Sequence, residues 1–500
     1  MMQSRLETVQ EWVLPSGAVV QEIDWLDPCS CFAGFAQTPH ALWLDSADTR
    51  HPAGAYSYIA VEPFETVTVK NGDMNGLSVE PFDHVKARLA HFNEDWSGLP
   101  DDLPDFRGGA GGYFGYDLGQ GLEILPPPIA PYAVDDAGLP DMVVGLYDLV
   151  LAFDHQARRC FLFSTGFPRI HAAERSHRAL MRLEDMRRRL FGVGSVPRNA
   201  DESPPPPASL PASPLSASDY QNRVQKVIDY ILAGDIFQAN LSHRFDAELN
   251  ADDTAFQFYK RLRQVSAAPF AAFFQLGDWA LASASPERFL SCRNGRVETR
   301  PIKGTRPRHD DPKQDAALAA TLRMDTKERA ENIMIVDLLR NDIARVCKEG
   351  SINVPSLCAV ESFPAVHHLV SIIEGTLRET AGPTDLLKAC FPGGSISGAP
   401  KIRAMEIIAE LENTCRGPYC GAIGYVGFDG IMDTNIAIRT PVIRGHKVSF
   451  QVGGGITAAS DPASEYRETL DKAAGIFKAL GCTHPDMTQT DTGTSEGRIS

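Results

Sequence analysis

The chain has 500 residues, 43% of them hydrophobic, which is more than one compact core holds, so two or three packed units are expected and general disorder is excluded. With 48 Lys and Arg against 64 Asp and Glu the formal charge is −16, a mean field that repels nucleic-acid phosphates and anionic bilayers alike. Ten scattered cysteines with no CxxC pair argue against a disulfide framework or a zinc site and suit a reducing compartment.

Met1 to Pro15 shows no basic flank leading into an apolar core, and no apolar run approaches the roughly 20 residues that span a bilayer; a soluble cytoplasmic protein is expected. The first unit alternates short apolar runs with turn residues, as in Ala41-Leu42-Trp43-Leu44 and Met142-Val143-Val144-Gly145-Leu146, which predicts strands. Helices are predicted at 84–92 and 172–190. The glycine-rich run Gly108 to Tyr116 resembles a dinucleotide loop, but Phe114 falls where the third glycine must be. Tight backbone packing is the favoured reading.

Residues 196–218 hold Ser203-Pro204-Pro205-Pro206-Pro207, Pro211 and Pro214 among Ala and Ser, the composition of an extended, semi-rigid linker. It divides an amino-terminal unit, 1–195, from a carboxy-terminal unit, 219–482, and a polar tail, 483–500, is expected to fray. The second unit mixes strand patterns at 280–284, 365–373, 421–428, 432–438 and 447–452 with helices, in no repeated βαβ rhythm. That predicts an α+β fold with largely antiparallel sheet.

Several clusters in this unit can carry chemistry, each beside a plainer reading. Lys303, in Pro301-Ile302-Lys303-Gly304-Thr305, follows Glu287 of Ser283-Ala284-Ser285-Pro286-Glu287. A lysine on a partly buried strand can serve as a nucleophile with a nearby carboxyl as proton donor; the alternative is a surface lysine and a turn glutamate. Asp325 is placed to cap a helix running through Leu339, with Glu328 completing a capping box. Glu331 then shares a face with Met334, Ile335 and Leu338, where its carboxylate needs either a metal or a salt bridge to Arg340 or Arg345.

The runs Phe391 to Lys401 and Val452-Gly453-Gly454-Gly455-Ile456 let backbone N–H groups approach an anion, or simply turn tightly. The first is no Walker loop, because Pro400 separates Ala399 from Lys401. Ser460-Asp461-Pro462 announces a last helix with the core stripe Tyr466, Leu470, Ala473, Phe477 and Leu480. Glu465, Glu468 and Lys472 form the row beside it. Glu468 and Lys472 make an i, i+4 ion pair; with Glu331, the two glutamates also offer hard oxygen ligands of the kind magnesium takes.

Together these segments, with Glu331-Asn332-Ile333-Met334-Ile335-Val336-Asp337-Leu338-Leu339, His368-Leu369-Val370-Ser371, Gly421-Ala422-Ile423-Gly424-Tyr425 and Glu465-Tyr466-Arg467-Glu468-Thr469, resemble the chorismate-utilising enzymes, and within them the aminodeoxychorismate synthase component I branch. The resemblance is strong over 219–480 and weaker before the linker. It implies largely antiparallel sheets in a two-lobed sandwich with helices packed outside. It implies a magnesium-dependent aminotransferase of folate and 4-aminobenzoate synthesis that converts chorismate and ammonia to 4-amino-4-deoxychorismate. Anthranilate synthase component I, or a non-catalytic chorismate-binding relative, is the alternative.

On that resemblance, Lys303 attacks C2 of chorismate and Glu287 protonates the departing C4 hydroxyl. The anthranilate synthases typically carry alanine in place of Lys303. Glu331 and Glu468, with Glu465 beside them, look like the magnesium ligands. Tyr419, Arg439 and the backbone of Gly453, Gly454 and Gly455 look like the holders of the enolpyruvyl carboxylate, while Ser395 and Lys472 face the ring carboxylate and His368 lies against the ring or in the core. Gln238 stands where the water-using relatives carry a general-base lysine, which implies an ammonia nucleophile. Ala459 replaces a common Asp, and Ser395 stands where Thr is frequent.

In the first unit, Leu44-Asp45-Ser46 and Tyr56-Ser57-Tyr58 are the nearest analogues of the family's tryptophan site. Asp45 in place of Glu argues against tryptophan regulation. No glutaminase-type Cys elbow and no pyridoxal-dependent lyase are visible. Ammonia is therefore expected from a separate glutamine amidotransferase in a hetero-complex, and the product is expected to stop at 4-amino-4-deoxychorismate.

Overall fold

Strand Gly109–Phe114 is buried at every position because its glycines let two neighbouring strands close on it. An added Cβ at Gly109 would lie 2.3 Å from the Val426 carbonyl oxygen, and one at Gly112 would lie 2.1 Å from that of Val143. The glycine-rich run is thus a packing site, as expected, and carries no cofactor loop. It pairs antiparallel with Met142–Tyr147 on one side and Ala422–Gly427 on the other. The computed structural model describes residues 6–70, 80–122, 138–191, 207, 209–363, 366–412 and 414–484.

Among the described residues the strands form two sheets, every pair antiparallel. One holds thirteen strands and runs from edge strand Thr8–Val13 through Leu42–Asp45, Phe270–Gln275 and Lys447–Ile456 to Gln238–Glu248 and Ser209–Ala212. The other holds ten and runs from Ile302–Pro307 through Val366–Thr376, Arg288–Arg293 and Gly109–Phe114 to Glu65–Val69. Leu42–Asp45 pairs with Phe270–Gln275, so residues on either side of 196–218 share one sheet. All of 196–206, and residue 208, lie outside the described residues. Ser209–Ala212 is a sheet strand, and its Pro211 is tolerated because the strand is an edge.

The sheets face each other across a core of Leu42, Tyr58, Phe161, Phe163 and Phe274 from one and Tyr113, Val143, Ile423 and Tyr425 from the other. Outside the first sheet lie helices Ala172–Phe191, Ala217–Ala233, Ala255–Val265, Lys401–Glu412 and Pro462–Ala479; outside the second lie Pro81–His91, Thr326–Ala344 and Pro383–Cys390. The α+β sandwich with outer helices is the expected architecture. Helix Pro462–Ala479 shows why the layers hold: its N-cap Asp461 accepts from Ser464 N–H, Pro462 occupies the first turn, and Tyr466, Leu470, Ala473 and Phe477 are buried as one stripe. Each large apolar side chain of that stripe contributes about 1.5–3 kcal/mol.

No described helix is long and apolar enough to cross a membrane, and no disulfide joins the described cysteines.

Candidate active site

The site residues come from both sheets. Lys303 lies on the edge strand Ile302–Pro307 of the second sheet, opposite Leu369. The register shifts between Lys303 and Thr305, and Gly304 there has φ +66°. A Cβ at Gly304 would sit 2.7 Å from Leu322 Cδ1 and 3.1 Å from the Glu328 carboxylate. Only glycine allows both that left-handed backbone and that contact.

Across from Lys303 are two strands of the first sheet. Gly455 is so close that a Cβ on it would approach Gln238 Nε2 to 2.7 Å and Lys303 Nζ to 3.3 Å. Gln238 is fully buried, and neither its amide oxygen nor its amide nitrogen has a hydrogen-bond partner. An unmet amide inside protein costs roughly 1–3 kcal/mol, so a polar guest beside Lys303 is what this pocket lacks. The backbone of Gly453 and Gly454 belongs to the same strand, Lys447–Ile456, which is longer than the 447–452 expected because the glycines pair with Gln238–Glu248.

Glu287 follows strand Trp279–Ser285 and accepts a hydrogen bond from Ser395 Oγ at 3.2 Å. Burial pushes its carboxyl up to about 7, against the opposing pull of Lys303, the Ser395 hydroxyl and Lys472. A carboxyl poised there is half protonated near neutrality, as a proton donor must be. Ser395 sits in the short turn Gly394–Ile396. The helix Thr326–Ala344 presses on this turn, with Leu338 Cδ2 only 2.4 Å from where a Gly394 Cβ would stand.

Helix Thr326–Ala344 is capped by Asp325, which accepts from Lys327 N–H and Glu328 N–H. Glu331 does not pair with Arg340 or Arg345 as one reading expected. Arg340 faces Asp337 at 3.7 Å, and Lys327, one turn back, lies 4.0 Å from Glu331 and 3.9 Å from Glu465 of the last helix. Burial raises Glu331, opposed by Lys303 and Lys327; burial also raises Glu465, opposed by the Ser460 hydroxyl and reinforced by Glu468. Glu468 is exposed and ion-paired to Lys472 at 2.7 Å. Although about half of the side chain stays open to solvent, desolvation by the surrounding site works against ionisation of its carboxyl; Lys472 outweighs it and holds the group below its ordinary value. Lys472 also donates to the Gly453 carbonyl at 2.9 Å, so it serves the glycine strand as well as Glu468.

In the sequence Glu328 has only the spacing of a capping-box residue. It belongs to the site, raised by burial and by Asp325 while Arg306 and Lys303 oppose the rise. Its i, i+3 spacing from Glu331 was the available signal. Five carboxyl groups, of Glu287, Glu328, Glu331, Glu465 and Glu468, thus gather around three lysines, Lys303, Lys327 and Lys472. Among the described residues no three acidic or imidazole side chains already converge as a closed ligand set. The all-oxygen donors and the surplus of negative charge fit a hard divalent cation that would displace the lysines.

Arg439 has φ +51° and no carboxylate within ion-pair distance among the described residues; burial holds its guanidinium below the ordinary value. A strained, partly buried, unpaired arginine is a ready anion site. His368 lies in the same field. Burial lowers it to about 4, a backbone hydrogen bond at Gly304 opposes this, and Arg439 reinforces it; its Nδ1 is 3.0 Å from Thr305 Oγ1. It is therefore a neutral ring beside the Lys303 strand. Tyr419 is buried and reaches the site through Arg416, whose guanidinium lies 5.7 Å from its ring and donates to Ile396 O and Asn240 O. The buried Arg416–Glu412 pair, at 2.7 Å, was not anticipated.

Lys401, at the end of the glycine run, pairs with Asp342 at 2.7 Å. Ser460 Oγ accepts from Thr457 N–H at 3.1 Å, which closes the turn at Ala459. A separate cavity of about 200 Å³ is lined by Leu44, Asp45, Ser46, Tyr56 and Tyr58 from the first unit and by Phe270, Arg288 and Tyr425 among others from the second. Asp45 is held by Arg263 at 2.7 Å and Tyr259 at 2.9 Å.

Residues 39–478 match the chorismate binding enzyme family. Aminodeoxychorismate synthase component 1 of Salmonella typhimurium is 42% identical over 458 residues, 90% of this chain and 95% of that protein. Anthranilate synthase component 1 of Geobacillus stearothermophilus is 37% identical over 476 residues, 91% and 92% of the two chains. The crystal structure of anthranilate synthase component I from Streptococcus pneumoniae is similar with a TM-score of 0.70 at 34% identity, covering 84% of this chain and 92% of that one.

Proposed function

We propose, from the premise that this chain belongs to the chorismate-binding enzyme family, that it converts chorismate and ammonia to 4-amino-4-deoxychorismate through an adduct on Lys303. The observation that carries the reading is the pair at the centre of the site: an amine, Lys303, beside a carboxyl, Glu287, poised at about 7. In the reaction, the Lys303 amine bonds to C2 of chorismate, both conjugated ring double bonds shift by one position, and the C4 hydroxyl leaves as water with the proton of Glu287. Ammonia, held by the unmet amide of Gln238, then bonds to C4. Both double bonds shift back, the C2–N bond breaks with its electron pair returning to Lys303, and the new C4 ammonium gives a proton back to Glu287. Two allylic substitutions replace one harder step.

Arg439, the N–H groups of the Gly453 to Gly455 strand and Tyr419 bind the enolpyruvyl carboxylate, and Ser395 and Lys472 face the ring carboxylate. The neutral ring of His368 packs beside the substrate. Glu331, Glu465 and Glu468 would hold a magnesium ion, with Glu328 nearby; when bound, it supplies positive charge to the ring carboxylate. Ammonia comes from a glutamine amidotransferase partner in a cytoplasmic hetero-complex.

The test is intact-protein mass spectrometry of the chain with chorismate and magnesium, without ammonia. A chorismate-derived adduct lost in Lys303→Ala supports the reading; an adduct retained in that variant, or full turnover to the same product, overturns it.

A further inference from the structure

We propose that Asn332 is a positioning residue, whose side-chain amide fixes the helix bearing Glu331 against the strand bearing Lys303. This rests on the functional reading above for the roles of those two residues. Asn332 is fully buried in helix Thr326–Ala344, a place where asparagine is a poor helix former and must have its polar atoms met. All of them are. Its Nδ2 donates to Pro301 O at 3.5 Å and Leu369 O at 3.4 Å. Its Oδ1 accepts from Ser371 Oγ and, at 3.5 Å, from Cys358 Sγ.

These partners are placed around one point. Leu369 is the cross-strand partner of Lys303, Pro301 lies two residues before it, and Glu331 immediately precedes Asn332. One amide therefore ties the helix to both strands at the register of the nucleophile. Its orientation is set as well. Ser371 Oγ accepts from Cys358 N–H at 2.8 Å, which leaves its proton for Asn332 Oδ1 and turns the NH₂ towards the two carbonyls. A flipped or replaced amide would put an oxygen against oxygens and loosen the helix just where Glu328 packs over Gly304.

The decisive experiment compares Asn332→Asp and Ser371→Ala with Lys401→Met, which cuts the Lys401–Asp342 link towards the other end of the same helix. Three quantities are read: kcat and KM with chorismate, ammonium and magnesium; the melting temperature; and the rate of Lys303 reductive methylation by formaldehyde and cyanoborohydride, by peptide mass spectrometry. For Asn332→Asp we expect kcat to fall about tenfold or more with KM within about threefold, because small misplacement of reacting groups is costly. Lys303 should be methylated about threefold faster as its packing opens, with Lys388 unchanged, and Ser371→Ala should move both readouts the same way by less. Lys401→Met should lower the melting temperature without changing Lys303 labelling.

Loss of melting temperature alone in Asn332→Asp and Ser371→Ala, or labelling changes matched by Lys401→Met, would overturn the proposal. If Asn332→Asp does not fold, Ser371→Ala decides. Labelling needs no substrate, so it still tests Asn332 if the wild-type chain makes no 4-amino-4-deoxychorismate and the functional reading itself fails.

Discussion

Replacing Glu287 by Gln removes a carboxyl that the fold holds at about 7 instead of 4.5, and the consequence for stability can be worked with its sign. The folded value lies above the unfolded one, so the fold favours the protonated form. The associated stability is fully present below pH 4.5 and is lost as pH rises through about 7. The difference corresponds to about 3 kcal/mol, and because Glu287 keeps some surface, solvent screening reduces this to about 2 kcal/mol. Wild-type protein should therefore lose roughly that much stability relative to Glu287→Gln between pH 4.5 and 8.5. Urea unfolding of both proteins across this range measures it. Activity should follow the same group, with kcat falling as pH rises through about 7 and with Glu287→Gln nearly inactive at all pH values. Parallel stability profiles, or a Gln variant with wild-type kcat, would refute the reasoning that burial keeps this carboxyl protonated for use as an acid.

Glu331→Gln should keep the fold and lose magnesium-dependent turnover, since one neutralised oxygen weakens a hard-ion site without changing packing volume; calorimetric titration with magnesium alone should show the affinity fall about tenfold or more. Gly455→Ala puts a methyl group 2.7 Å from Gln238 Nε2; we expect turnover to fall sharply while the unfolding midpoint changes little, and a fully active variant would contradict the crowding argument. The isolated chain should use ammonium but not glutamine, and vigorous turnover with glutamine alone would remove the need for an amidotransferase partner.

The local signals in the sequence were legible where a single element decided the outcome. Asp325 and Asp461 cap the helices they were expected to cap, and the stripe from Tyr466 to Leu480 is buried because apolar residues at helical spacing have one place to go. Helix Pro81–His91 begins before residue 84 because Glu80 caps it and Pro81 opens its first turn, a start that a glutamate cap does not advertise. The strand through Gly453 to Gly455 exceeded expectation because pairing with Gln238–Glu248 overrides the weak strand preference of glycine.

The site itself was only partly legible. Motif resemblance named most of its members, but which charges meet depends on the docking of one helix against another. Lys327 bridging Glu331 and Glu465 joins residues that no local period relates. The Asn332 network is equally long-range, and the Arg416–Glu412 pair, although only four residues apart, is tied to other elements by Arg416 donating to Ile396 O and Asn240 O: several of these partners are backbone carbonyls, and a carbonyl has no letter in a sequence.

The product that leaves the active site identifies the reaction. The purified chain, given chorismate, magnesium and ammonium, should release 4-amino-4-deoxychorismate, converted to 4-aminobenzoate only after a lyase is added; accumulation of fluorescent anthranilate instead would contradict it.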